Sequence, residues 1–584
     1  MVRCRRPDRR PTWVGRRSWL VPGLVCAVGV GCSPQDGQPP PGKPKAPSDR
    51  AEVLRELGNT EETVESFARY LIELAVQLQA EGGPAVQRGF PPWVLGTPFP
   101  TEPSGLEPLV TWIQRHGWVI PEGPRRLRRE ELARSADGFL DHLSVVEDVR
   151  MKVTSATVEP GTKRIRGELA LELVGRDLDS RREWVRGSAQ VAAQRDPKGD
   201  WRIDEFRVDT LESRVCARDL FSEVSTLAGL VETYPGKPVD AVAGHGAAAA
   251  DADGDGLIDV YFTDPTARTG NRLYLNRGDG TFGSFAGAPL SSPGSVTTGA
   301  LFLDYDNDGD LDLFVSGYGQ PQRLFQNQLV GSGRLRFRDV SERAGVAMRG
   351  SGYSAAAGDV NRDGFPDIYV TGYKTAGGAV TAAAPHGFAL DSFTRASNGA
   401  PNLLFVSRGN GTFLEAAIAW GAADSRFSLA AEFADLDGDD RLDFVLANDF
   451  GGGSTIYRNA GDRFVDVGAE RGLLDRRNGM GVSLADYDND GDLDVHITNM
   501  SSVAGKRIFA HLDRSSSASG LERARDMTMG NALYENRGGG HYRAGGSFPA
   551  GWAWGGGFID VDNDGWQDLH SPNGFISGHA RADT

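Results

Sequence analysis

A mainly β fold built from repeated units is predicted for most of this chain, with a smaller α+β unit ahead of it, on three observations. The phrase Asp-x-Asp/Asn-x-Asp-Gly/Asp-x-x-Asp is written six times between residues 251 and 568. The first five copies run into a β-branched and aromatic stretch of the kind that forms buried strands. Residues 145–215, ahead of the repeats, alternate polar and apolar side chains over long stretches such as KRIRGELALELVG. The six copies are DADGDGLID (251–259), DYDNDGDLD (304–312), DVNRDGFPD (359–367), DLDGDDRLD (435–443), DYDNDGDLD (486–494) and DVDNDGWQD (560–568).

Carboxylates at this density repel one another, and a hard divalent cation such as Ca2+ suits a flexible nest of oxygen donors. Positions 1, 3 and 5 supply side-chain oxygens: Asp251, Asp253 and Asp255; Asp304, Asp306 and Asp308; Asp359, Asn361 and Asp363; Asp435, Asp437 and Asp439; Asp486, Asp488 and Asp490; Asp560, Asp562 and Asp564. Position 7 offers a backbone carbonyl, which explains why Leu257, Asp310, Phe365, Arg441, Asp492 and Trp566 differ so widely. Position 9 closes each site with Asp259, Asp312, Asp367, Asp443, Asp494 or Asp568. Gly at position 6 takes a turn that a Cβ resists; Asp440 stands there in the fourth copy, a residue type that tolerates positive φ. Asn361 is neutral, so the third site is expected to bind more weakly. An EF-hand would place a bidentate Glu at position 12 and continue as a helix. Here position 12 holds Phe262, Val315, Val370, Leu446, Ile497 and Ser571, mostly within strand-like runs, which excludes that reading. The expectation is about six Ca2+ ions, one per loop.

The first aspartates fall at 251, 304, 359, 435, 486 and 560, giving gaps of 53, 55, 76, 51 and 74 residues. The two longer gaps mark insertions at 373–400 and 500–530. Each unit opens with a Phe-x-Asp-Val-like strand, as in FSEVSTLAGL (221–230), FRDVSERAGV (337–346) and FVDVGAERGL (464–473). A small-residue strand then feeds the aspartate loop. The unit ends in a hairpin with a Leu-Tyr/Phe and Asn signature: NRLYLNRGDGTF (271–282), NLLFVSRGNGTF (402–413), STIYRNAGDRF (454–464) and NALYENRGGGHY (531–542). Four short strands per unit is the arithmetic of propeller blades, whose stacking buries faces that no single blade can bury. The prediction is a calcium-binding β-propeller with six visible repeats in a seven-bladed ring. The sixth unit stops before its hairpin; either the segment near 221–243 closes it, or the chain is a fragment of a seven-bladed ring.

These motifs resemble the FG-GAP/VCBS repeats of integrin α-chain propellers and of many bacterial surface proteins. The WAWGGGFIDVDNDGWQDL run (552–569) and the Phe-x-Asp-Val openings resemble the cartilage-acidic-protein/UnbV-type (ASPIC/UnbV) propeller family more narrowly. The resemblance covers residues 221–584 and implies calcium in the loops and a binding or adhesion role. The family's C-terminal module is not visible in this sequence.

Residues 1–32 read as an export signal: early arginines, then WLVPGLVCAVGVG, too short to span a bilayer. Small residues before Cys32 and polar ones after it resemble a lipoprotein cleavage site, making Cys32 the candidate lipidation residue. Gly29 departs from the usual Leu, and Arg16-Arg17 also resembles a twin-arginine signal. Residues 33–49 are a Pro-rich tether. Across 50–215, helices followed by long strands predict an α+β domain that loosely resembles the NTF2-like fold in element order alone. Asn59 with Glu62 reads as a helix N-cap, and Arg125, Arg126, Arg128 and Arg129 as a solvated helix start. With Cys32 acylated, Cys216 has no partner for an intrachain disulfide.

The formal charge is −16 and the acidity is concentrated in the loops, with no basic stripe, which argues against nucleic acid as a partner. No HExxH, GxSxG, P-loop or CxxC is present, and the nine histidines are scattered. Arg277-Gly278-Asp279 sits at a hairpin tip, where turn chemistry accounts for it. The leading expectation is a non-enzymatic, exported module of the bacterial envelope or the extracellular space. It would bind a protein or glycan and meet a membrane only through an N-terminal lipid anchor. The alternative is a polysaccharide lyase or hydrolase with its site at the propeller pore.

Overall fold

The computed structural model describes residues 50–573, apart from 231–245, 375–391, 503–504, 506–520 and a few isolated positions elsewhere. The export signal, Cys32, the tether and the centres of both insertions lie outside the described residues.

The first domain packs helices Arg50–Glu81, Gly83–Gly89 and Arg129–Leu140 against an antiparallel sheet. Its four long strands, Leu143–Val158, Ile165–Asp177, Arg182–Arg195 and Trp201–Cys216, follow one another as a meander, and bulges in the pairing curve the sheet. Val64, Phe67, Leu71, Leu74 and Ala75 recur at helical spacing and bury one face of the long helix against Leu169, Val185, Val191 and Ile203. Asn59 is not a cap. The helix begins at Arg50, and the Asn59 carbonyl accepts a hydrogen bond from Thr63 Oγ1 at 2.9 Å inside it. The run RAEVLREL ahead of Asn59 is rich in strong helix formers, which outweighs the capping preference of one residue. Arg125–Arg128 forms a strand paired with Trp93–Gly96, and the helix starts only at Arg129. The Arg126 and Arg128 guanidiniums lie 4.9 and 5.3 Å from the Trp93 ring centroid.

From residue 247 onward the chain is a β-propeller. The first blade consists of Ala247–Ala250, Asp259–Phe262, Arg272–Asn276 and Phe282–Phe285, each antiparallel to the next. The second, third, fourth and fifth blades repeat this order. In every blade the second strand begins at the position-9 aspartate of its loop. Successive first strands pack side by side, and at some positions this leaves room only for Gly. A Cβ on Gly246 would lie 2.2 Å from the Thr298 oxygen, and one on Gly299 2.7 Å from the Tyr353 oxygen.

The apolar cores lie between blades. Tyr369 and Leu404 of the third blade pack with Phe444, Leu446, Tyr457 and Phe464 of the fourth. The same arrangement joins the first blade to the second, the second to the third and the fourth to the fifth, so these blades share their cores.

Six blades are present among the described residues, the second and third joined into one eight-stranded sheet by the pairing of Tyr318 with Ser351. The sixth holds only Gly557–Ile559 and Asp568–His570. The Phe221 ring lies 6.1 Å from His570, and Gly229 approaches the Phe282 oxygen just as Gly345 approaches that of Phe413. Residues 221–230 therefore sit ahead of the first blade as 337–346 sit ahead of the third. At the Arg277-Gly278-Asp279 tip, Asp279 accepts hydrogen bonds from the Thr281 N–H and hydroxyl, a turn-forming role. Among the described residues no helix is long and apolar enough to cross a membrane.

Phe444 is fully buried among Tyr369, Phe433, Tyr457 and Phe464, with ring centroids 4.7–5.5 Å away. Phe444→Ala should cost about 3–5 kcal/mol in denaturant unfolding. A loss under about 1 kcal/mol would show that the inter-blade core is not the stabilising layer.

Candidate metal centres

Each aspartate loop is shaped by its own first carboxylate. Asp251 Oδ1 accepts from the N–H groups of Gly254 and Asp255 (2.8 and 3.1 Å), and its Oδ2 accepts from Gly256 (2.9 Å). Asp304, Asp359, Asp435, Asp486 and Asp560 bind the same amides at positions 5 and 6 of their loops. Position 5 accepts from the N–H of position 7. That bond places Leu257, Phe365, Arg441 and Trp566, as well as Asp310 and Asp492.

Two positions in each loop adopt the left-handed conformation. Position 6 was legible from its glycines, and Asp440 takes it at φ 64°. Position 4 was not singled out. Gly254, Asn307, Arg362, Gly438, Asn489 and Asn563 all have φ between 55° and 76° there, and the recurrence of Gly and Asn was its signal.

These turns bring carboxylates together. Asp251, Asp253 and Asp255; Asp304, Asp306 and Asp308; Asp435, Asp437 and Asp439; and Asp560, Asp562 and Asp564 each present oxygens within 4.8 Å of one another. In the fifth loop the trio is Asp486, Asp488 and Asp494, from positions 1, 3 and 9. The third loop holds two carboxylates around Asn361, whose amide donates to Asp363 Oδ2 at 3.0 Å. Asp310 uses its own carboxylate as well, accepting from the Val330 N–H at 2.8 Å.

Whether a cation fits is answered by the third position. Asp253 Oδ1 and Asp306 Oδ1 are buried and accept no hydrogen bond, so protein donors leave their charge uncompensated. An oxygen-only cluster with open buried acceptors matches a hard divalent ion, which would supply the positive charge that the loops lack.

Position 9 does more than close the site. Asp312 Oδ2 accepts from the Tyr305 N–H inside the loop, and its Oδ1 from the Asn327 N–H at 2.7 Å in the hairpin. Asp259, Asp367 and Asp494 bracket loop and hairpin in the same way, and Asp443 Oδ1 accepts from Asn459 N–H. The hairpin asparagine then reaches the preceding blade. Asn327 Nδ2 donates to the Ala252 oxygen (2.9 Å), Asn459 to that of Val360 (2.8 Å) and Asn536 to that of Leu436 (3.2 Å). The third blade has Ser407 at this place, and loops two and three are bridged by Asn307 Nδ2 to the Gly364 oxygen at 2.8 Å. The first domain also reaches a loop: Trp112 Nε1 donates to Asp562 Oδ2 at 3.1 Å.

A family model described as an FG-GAP-like repeat matches residues 251–315, 304–370 and 435–497. The chain carries FG-GAP-like repeats. Cartilage acidic protein 1 of Homo sapiens is 26% identical over 349 residues, covering 56% of this chain and 46% of its own length. Its Xenopus tropicalis counterpart is 25% identical over 370 residues, covering 56% and 47%. The chain thus spans about half the length of the curated relatives it matches. Among solved structures, a variant Aleuria aurantia lectin in complex with Fucα1-6GlcNAc is 13% identical, with a TM-score of 0.26 over 69% of this chain and 96% of the lectin. A conserved protein from Planctomyces limnophilus is 10% identical, with a TM-score of 0.18 over 26% of this chain and 97% of its own. At such scores neither structure bears on function.

Burial pushes the Asp312 carboxyl up to about 8 and those of Asp367, Asp443 and Asp494 up to about 7. Backbone N–H donors oppose the rise, and neighbouring loop carboxylates add to it. A carboxyl raised on folding stabilises the fold while protonated, and that contribution is lost as pH climbs through about 7 to 8. In chelator, the thermal midpoint should therefore fall as pH rises from about 4 to about 8 and level off above that, and a saturating divalent cation should remove the fall. A flat chelated profile would contradict this. Asn459→Ala, which strips the Val360 and Leu442 oxygens of a donor, should cost about 1–3 kcal/mol by denaturant unfolding. An unchanged midpoint would remove the inter-blade role assigned to this asparagine.

Proposed function

We propose that this chain is an exported, calcium-stabilised propeller that serves as a cell-envelope or extracellular binding module for a protein or glycan, without catalysis of its own. The observation that carries the calcium reading is the buried position-3 carboxylate oxygen with no hydrogen-bond donor in the first two FG-GAP-like loops. All-oxygen donor sets on flexible loops favour Ca2+ over softer metals, which select nitrogen and sulfur. The N-terminal sequence supports export, where calcium is plentiful.

The recognition surface belongs to the two insertions. They leave the ends of strands Asp367–Gly372 and Asp494–Asn499, at the far end of each strand from its aspartate loop. Their bases meet in one apolar cluster that includes Tyr373, Phe427, Met480 and Met500, so the two insertions rise from a shared footing. Loops grafted on a rigid ring of blades are the usual carriers of specificity.

The test uses the calcium-loaded chain from residue 33 onward on a glycan array and on purified envelope proteins. Specific binding is expected, and replacing 375–391 or 506–520 by a short Gly-Ser link should abolish it without moving the thermal midpoint. Polysaccharide turnover by the intact protein, unaffected by either replacement, would contradict the reading.

A further inference from the structure

The fourth loop differs from the others in what surrounds its carboxylates. In the strand that follows, the residue before the hairpin asparagine or serine lies next to the loop. It is Leu275, Gln326, Val406 and Glu535 in the first, second, third and fifth blades. In the fourth blade it is Arg458. Its Nε lies 2.7 Å from Asp437 Oδ2 and its Nη2 3.0 Å from Asp439 Oδ2, so one guanidinium spans positions 3 and 5. Arg441, at position 7 of the same loop, pairs with Asp439 through Nη2 and anchors its Nε on the Asn459 oxygen at 3.0 Å. A third guanidinium, that of Arg471, lies 3.6 Å from Asp437 Oδ2 and is tied to the Gly539 oxygen.

We propose that the fourth aspartate loop is stapled by Arg441 and Arg458 and takes no metal ion, so that its blade is held without calcium. This rests on the calcium reading of the other loops. The second loop makes the contrast: Gln326 Nε2 donates to Asp306 Oδ2 at 2.7 Å, a neutral contact that leaves the loop's charge in place. In the fourth loop, three guanidiniums already supply positive charge to Asp437 and Asp439, and their fork geometry matches paired carboxylates. A divalent ion entering there would sit within a few ångströms of those cations and would have to break their hydrogen bonds. Asp437 Oδ1 is buried without a donor, as Asp253 Oδ1 and Asp306 Oδ1 are, but its partner oxygen Oδ2 is already held by the Arg458 guanidinium, with that of Arg471 at 3.6 Å. The carboxylate trio is present in the fourth loop, but its counter-ion is part of the chain.

Native mass spectrometry of the calcium-loaded protein reads the outcome as a count of bound ions. Asp437→Asn should leave the wild-type count unchanged, while Asp306→Asn in the second loop should lower it by one. The Arg441→Leu/Arg458→Leu double variant, which gives the fourth loop the apolar neighbours of the first, should raise it by one. Hydrogen exchange on the wild type gives a second reading that needs no variant. Chelator should speed exchange at the Asp308 and Gly309 amides and leave those of Asp439 and Asp440 unchanged. A count that Asp437→Asn lowers, or faster exchange at Asp439 and Asp440 in chelator, would overturn this inference alone. A wild-type count of zero would overturn the calcium reading and this inference together.

Discussion

One buried carboxylate per blade ties this propeller together. The position-9 aspartate opens the second strand, and in the first, second, third and fifth blades its oxygens accept one amide from the loop before it and one from the hairpin after it. The loop cannot shift without moving the strand, and the hairpin asparagine carries the same constraint to the neighbouring blade. The cost of the arrangement is a carboxyl held inside the protein beside other carboxyls, which drives its protonation at neutral pH. A cation in the loop opposes that protonation. A metal bound there would couple its own binding to blade stacking through a single residue type.

That coupling explains why the aspartate phrase was legible and its partners were not. Loop, buried strand and hairpin are contiguous, so their residue types recur at fixed spacing and announce themselves. The Leu-Tyr-x-Asn signature was visible too, but its role was hidden because Asn459 and Val360 are 99 residues apart. Arg458 looked like an ordinary strand residue, since only the fold shows that this position faces the loop. Arg441 was read for its carbonyl, which ignores a side chain able to turn back on Asp439. The helix start was missed because a capping motif can occur inside a helix when the residues before it also favour one.

The two ends of the blades divide the work. Aspartate loops and their staples occupy one end, where backbone geometry leaves little freedom to vary. At the other end the insertions rise from a shared apolar footing, where length and sequence can change without disturbing the ring. The first domain joins the stabilising end through Trp112 and Asp562, which links its position to the sixth loop.

The central claim is that divalent calcium stabilises the fold through these loops. Calorimetric unfolding of the chain from residue 33 onward, with calcium and then with excess chelator, tests it most directly. The account predicts a cooperative high-temperature transition in calcium that moves to much lower temperature, or vanishes, in chelator. An identical midpoint in protein shown to be free of metal would contradict it.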